Sequence, residues 1–595
     1  MDYLKVAIIL STLATVKGCR FCPKTNHRSN PIERDPILEE FPIIINDVPQ
    51  GCNSEVYCNG DLLHEASLLG FNYLQLKLKK PESFVIARFK IMKAKKHGEA
   101  ITYTEMEDLI KENFENGNEL EPWTPSDFND HPRFLDEIDD PDYKVWAYEL
   151  NQFWKILARK VSSDVERNPD HYSLIYVPNG FISPGGTSRE LHYWDSYWLV
   201  KGLLLSDMHD TARGVIDNLL YLLKRYSFVP NANRMYFLNG RSAPPLLIKM
   251  VDDYYEKTRD DEFLREVVTE LTFELNHWIN YNMGPLTFND KDYFMACYYV
   301  VSEEPRPESY RDDYMIARMF NTAKEKNKFY SNVHSATESG MDFTSRWFIR
   351  NKSNAGNTSD IATTEIVPVD LNAILHYNAR KISEWYFKLG EDEKGAHYEV
   401  LSVIILKGIN EVLWDKDEGM WFDYDNENQK RRKYFYASNL TPLWTKSYPT
   451  DWSKDELTNN VLFYLERMDL DKFDGIPNSL TETGEKWDFP NAWAPLQSMI
   501  VEGLETLGTV AAKIKAYQLA NRWIRTTYGG YKTSHVMYDR YDASAFGESR
   551  SDDDYSPQKG FGWTNAVVLQ FLKEYGKMIG WENDLEMEKR FMHYL

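Results

Sequence analysis

Five stretches of the chain concentrate side chains that can do chemistry. One runs Ser183-Pro184-Gly185-Gly186-Thr187-Ser188-Arg189-Glu190-Leu191-His192-Tyr193-Trp194-Asp195-Ser196-Tyr197-Trp198. A second, Lys486-Trp487-Asp488-Phe489-Pro490-Asn491-Ala492-Trp493-Ala494-Pro495, repeats the Trp-Asp pair. Glu304 to Tyr310 and Glu338 to Phe343 supply acids and an arginine, and Gln558 to Asn565 adds a glycine-rich turn with Trp563. Each motif alone suits a helix cap or a core tryptophan. Together they set acids, arginines and indoles on successive loops. A pocket for a polyhydroxylated ligand needs those groups: stacking faces, hydroxyl partners and two carboxyls for acid and base.

Helical periodicity dominates the segments that must position these loops. Met208, Ala212, Val215, Leu219, Leu223 and Tyr226 fall at steps of three or four, as do Phe263, Val267, Leu271, Leu275 and Trp278. Tyr398, Leu401, Ile405, Ile409 and Leu413 repeat the pattern, and Asp260, Asp261 and Glu262 favour the start of the second of these helices. Strand-like alternation is scarce, and no linker divides the chain after about residue 60, so one large all-α domain over 51–595 is the simplest reading.

The composition narrows the ligand and the compartment. The 595 residues carry a net charge of −22 and 14% aromatics, against a surface that neutralises nucleic-acid phosphates and in favour of a neutral sugar. In residues 1–18, Lys5 precedes a short apolar run, Val6 to Val16, and Gly18 offers a small residue for cleavage, the pattern of a signal peptide; 19–50 read as a wrapping segment. Three N-x-[ST] triplets, at Asn351, Asn357 and Asn439, agree with a secreted, extracellular glycoprotein. Cys52 and Cys58 are one possible disulfide among Cys19, Cys22, Cys52, Cys58 and Cys297. No second membrane segment is expected, and the oligomeric state stays open.

The loops resemble those of the trehalases, the inverting glycoside hydrolases that cleave α,α-trehalose. PGG…E…YWDSYW and WDFPNAWAP match that family's two signature stretches, and the similarity extends from about Ser54 to Asn565. The resemblance implies an (α/α)6 barrel, a small-molecule substrate, and neither metal nor organic cofactor. Carried over by position, Asp342 is the general acid, and its neighbours Met341 and Phe343 would raise its pKa by desolvation. Trp194, Asp195, Asn231, Arg241, Ser242, Arg306, Pro307, Glu308 and Gly340 become the sugar-binding set. The arginines would also neutralise carboxylates such as Glu308 and Glu338.

Several positions depart from the family pattern. Thr187 and Ser188 follow PGG where the family has an arginine and an aromatic. Gly240 is inserted before Arg241-Ser242-Ala243, which replaces RSQ, and Met341 replaces a tryptophan. The family's basic glutamate aligns with Asp554, one methylene shorter. An inverting pair needs ~6.5–9.5 Å between carboxyls for its water. Two readings therefore compete: a secreted trehalase using Asp342 and Asp554, or a weak or inactive homologue that binds a sugar or serves as a scaffold.

Overall fold

The structure, a computed structural model, describes residues 51–185, 188–550 and 560–581. The signal peptide and wrapping segment expected at the start, with Cys19 and Cys22, lie outside the described residues, as do Thr187 and Asp554. Helices α1 (Asp61–Leu68), α2 (Glu82–Lys95) and α3 (Tyr103–Asn113) open the described chain. They bury a small core of their own, including Leu62, Phe89 and Met106, against Tyr236, Phe237 and Tyr310 of the main body. Cys52 and Cys58 form a disulfide at the edge of this layer.

From α4 (Pro141–Leu157) onward, inner and outer helices alternate: α5 (Tyr193–Leu205), α6 (His209–Tyr226), α7 (Leu247–Thr258) and α8 (Asp261–Asn282). The connection from α8 to the next inner helix carries a hairpin, β1 (Met283–Phe288) with β2 (Lys291–Ala296), then α9 (Tyr310–Ala317) and α10 (Ala323–Glu338). The alternation resumes with α11 (Val369–Lys388), α12 (Asp392–Gly408), the short α13 (Thr441–Thr445), α14 (Lys454–Arg467), α15 (Ala494–Leu507), α16 (Val510–Ser534) and α17 (Gly562–Tyr575). The inner helices α5, α7, α11, α13, α15 and α17 touch in that order, and α17 returns to α5. This closed ring inside a ring is an (α/α)6 barrel.

Burial follows position in the rings. Outer α6 buries one stripe, Ala212, Val215, Ile216, Leu219 and Leu223, as its spacing predicts. Inner α5 is buried on every side, from Tyr193 through Val200. Asp260 caps α8 by accepting from the Phe263 N–H. The stripe beginning at Tyr398 is helical only to Gly408; Ile409 to Leu413 continue as one wider turn. Asn439 is fully buried and donates to the Tyr434 carbonyl at 3.0 Å, so its triplet is closed to glycosylation, whereas Asn351 and Asn357 are exposed.

Sealing six helices into a ring leaves polar groups on the axis that must find partners there. Glu502 on α15 accepts from Lys201 of α5 (2.6 Å), Trp444 of α13 (3.1 Å) and Gln570 of α17 (2.9 Å). Lys249 of α7 lies 5.0 Å over the rings of both Tyr377 of α11 and Trp444. Burial pushes the Glu502 carboxyl up, but the Lys201 and Lys249 charges win and hold it at about 2. Replacing Glu502 by alanine leaves two ammonium groups without that carboxylate and is expected to lower the unfolding free energy by about 3 kcal/mol, measured by denaturant titration.

Candidate active site

The segments leading into the inner helices converge at one end of the barrel. Trp194 and Asp195 occupy the first turn of α5, and the Tyr193 N–H donates to the Asn231 carbonyl at 2.9 Å. The Asn231 amide reaches the carbonyls of Ser242 (2.9 Å) and Thr337 (3.4 Å), tying the approach to α7 to the end of α10. Gly340 follows α10 with φ 72°, a conformation glycine adopts without penalty. Its Cα approaches Trp194 so closely that a Cβ would stand 3.2 Å from the indole.

Two arginines dominate the electrostatics. Arg241, fully buried, makes a two-pronged pair with Glu308 at 2.6 and 2.9 Å. Burial pushes the Glu308 carboxyl up; the Arg241 charge, its hydrogen bonds and Arg306 overcome this and hold it at about 2. Arg306 pairs with Asp313, in the first turn of α9, at 2.9 and 2.7 Å, and donates to Thr337 Oγ1 at 3.1 Å. The carboxylate of Arg306 is thus Asp313, a residue the sequence argument passed over although it lies only seven positions on. Glu338 accepts from backbone and amide donors: Ser242 N–H (3.3 Å), Tyr299 N–H (3.0 Å) and Asn282 Nδ2 (3.3 Å). Pro307 is buried and begins the short turn that carries Glu308 toward Arg241, while Glu304 is exposed.

Asp342 sits in the loop after Gly340, half-buried, with no hydrogen-bond partner among the described residues. Arg306 lies 4.7 Å over the ring of Phe343 and feels the Asp342 charge. Met341 is buried in the main core, and Phe343 lies beneath Arg306. Burial pushes Asp195 up to about 6, against the opposing charge of His192. Among the described residues no three His, Cys, Asp or Glu side chains converge as a metal site requires. The described members of the expected set, Trp194, Asp195, Asn231, Arg241, Ser242, Arg306, Pro307, Glu308, Gly340 and Asp342, therefore lie on one connected group of loops.

Comparison with known proteins identifies the lineage. A sequence profile described as Trehalase matches residues 72–576. A trehalase of Pimpla hypochondriaca is 42% identical over 531 residues, covering 88% of this chain and 90% of that protein. The Homo sapiens trehalase is 40% identical over 536 residues, covering 89% and 91%. The chain belongs to the Trehalase family. In fold it is similar to the neutral trehalase of Saccharomyces cerevisiae, with a TM-score of 0.54 and 22% identity over 70% of this chain and 76% of the other.

Departures from the Trehalase pattern meet different fates. The inserted Gly240 is exposed at φ 79° with nothing near a would-be Cβ, so the extra residue bulges into solvent and Arg241 still reaches Glu308. Ala243 is fully buried in the main core. Arg189 is exposed, near Arg159. Asp554 falls outside the described residues, but both stems of its segment are held. The Arg550 carbonyl accepts from Arg540 at 2.8 Å, and its guanidinium donates to Asp542. Arg540 lies 5.5 Å over Trp493, and Trp563, beyond the segment, meets Trp493 at 5.7 Å. At the far stem, a Cβ on Gly185 would stand 2.8 Å from the Gly560 carbonyl, so the first signature packs directly on the glycine-rich turn.

Because the Glu308 carboxyl is held at about 2 against an ordinary 4.5, its contribution to stability is complete above about 4.5 and is lost as pH falls toward 2. Thermal unfolding followed through that window is expected to decline less steeply in Glu308→Gln than in the parent protein.

Proposed function

We propose that this protein hydrolyses α,α-trehalose to two glucose molecules with inversion. The observation that carries the proposal is the convergence of Trp194, Asn231, the Arg241–Glu308 pair and Arg306 on the loop of Asp342, in a chain about 40% identical to proteins named trehalase. Trp194 Nε1 and Arg241 Nε are buried donors with no partner among the described residues, an arrangement that suits the oxygens of a sugar. Trp194, Asp195, Asn231, Arg241, Ser242, Arg306, Pro307, Glu308 and Gly340 form the binding surface.

In the proposed reaction the Asp342 carboxyl gives its proton to the bridging oxygen as the bond from that oxygen to the anomeric carbon breaks. A water on the opposite face forms the new carbon–oxygen bond and yields its proton to the Asp554 carboxylate. One glucose leaves with inverted configuration and the other retains its own. The shorter reach of aspartate at the base position moves its oxygens back by about one bond length.

Glucose release from trehalose by purified protein tests this. Asp342→Asn is expected to lower kcat by about 100- to 10,000-fold, the range of a lost general acid. Native protein without turnover, and with turnover gained in Asp554→Glu, would instead identify a homologue whose base has decayed.

Secretion belongs to the same proposal, supported by the leading apolar run and two exposed triplets. Protein recovered from a secreting eukaryotic host is expected to carry glycans at Asn351 and Asn357 and none at Asn439, as read by peptide mass spectrometry before and after enzymatic deglycosylation.

A further inference from the structure

We infer that Asp488, in the second signature stretch, is a positioning residue for the proton donor Asp342, an inference that rests on the reading of Asp342 as the acid. Asp488 is fully buried. Its Oδ1 accepts from Thr344 Oγ1 (2.8 Å), Ser345 Oγ (2.8 Å) and Ser479 Oγ (2.7 Å). Its Oδ2 accepts from the Ser345 N–H (2.7 Å) and Thr483 Oγ1 (2.6 Å). Three of these bonds land two and three residues beyond Asp342. The adjoining Trp487 N–H adds a fourth tie, to the Phe343 carbonyl at 3.2 Å.

The same loop is pinned from its other side. Arg346 makes two-pronged pairs with Asp370 (both 2.9 Å) and Asp423 (2.7 and 3.0 Å), all three buried. Arg432 donates to the carbonyls of Ser345 (3.3 Å) and Phe348 (2.7 Å). Residues 343–348 are therefore held on both flanks, while the Asp342 side chain has no such bond among the described residues. That division suits a proton donor: its backbone is fixed and its carboxyl is left for the ligand.

The donors around Asp488 explain why the residue must be a carboxylate. Five neutral donors approach it from both oxygens, and an acceptor-only group can serve them all. An asparagine of the same shape turns its NH2 either onto the Ser345 N–H, which can only donate, or onto three hydroxyls of which its two hydrogens serve two, so a tie is lost in either orientation. A displacement of about 1 Å at a reacting group costs on the order of 100-fold in rate.

The test compares two substrates. Trehalose needs a proton on its leaving oxygen; α-glucosyl fluoride does not, because fluoride departs unassisted. Asp488→Asn is expected to lose about 100-fold in kcat on trehalose, with KM nearly unchanged, and only a few-fold on the fluoride. Thr344→Val removes one donor and leaves Asp488 four, and is expected to lose about 10-fold on trehalose alone. Asp342→Asn, run beside them, must show the same selective loss. If it falls equally on both substrates, the acid assignment fails and takes this inference with it. If Asp342→Asn is selective while Asp488→Asn is unchanged or falls equally on both, the positioning role is overturned and the acid stands. Should Asp488→Asn fail to fold, as judged by its thermal transition, an unchanged substrate ratio in Thr344→Val overturns the role.

Discussion

An ion taken out of water must be repaid by partners close at hand, and this protein buries charge at every level of its architecture. On the barrel axis Glu502 meets Lys201, with Lys249 beside it. At the mouth, Arg241 meets Glu308 and Arg306 meets Asp313. Behind the Asp342 loop, Arg346 spans Asp370 and Asp423. Each pair joins elements far apart in the chain, except Arg306–Asp313, so satisfying these charges and closing the barrel are one requirement.

The division of labour among these groups gives the site its character. Arg241 and Arg306 each commit two of their five donors to one carboxylate, which fixes their planes and leaves the others uncommitted to acids. Asp342 is the opposite case: its loop is fully engaged and its own carboxyl is not. A rigid frame around one uncommitted acid is the arrangement that a proton transfer at a fixed distance demands.

Much of the frame was legible beforehand. The stripes from Met208 and Phe263 became α6 and α8 because burial of one face repeats with the helical turn. The stripe from Tyr398 overran its helix by one wider turn, since side-chain spacing does not register a change in backbone hydrogen bonding. Asp313 was not singled out as the partner of Arg306, because carboxylates of equal charge are distinguished only by where their backbones stand. Asp488 looked like one half of a Trp-Asp pair, and nothing local announced five donors drawn from residues 344, 345, 479 and 483.

By itself the sequence determined the helical class, the acidic and aromatic character of the loops and membership of the lineage, because periodicity, composition and signature stretches are local properties of a string. Only the tertiary structure decided that the six inner helices close on one another, that Arg306 takes Asp313, that Asn439 is sealed inside, and that an inserted Gly240 leaves Arg241 in place. Those outcomes depend on distances between segments remote in the chain, and such distances exist only once the ring has shut.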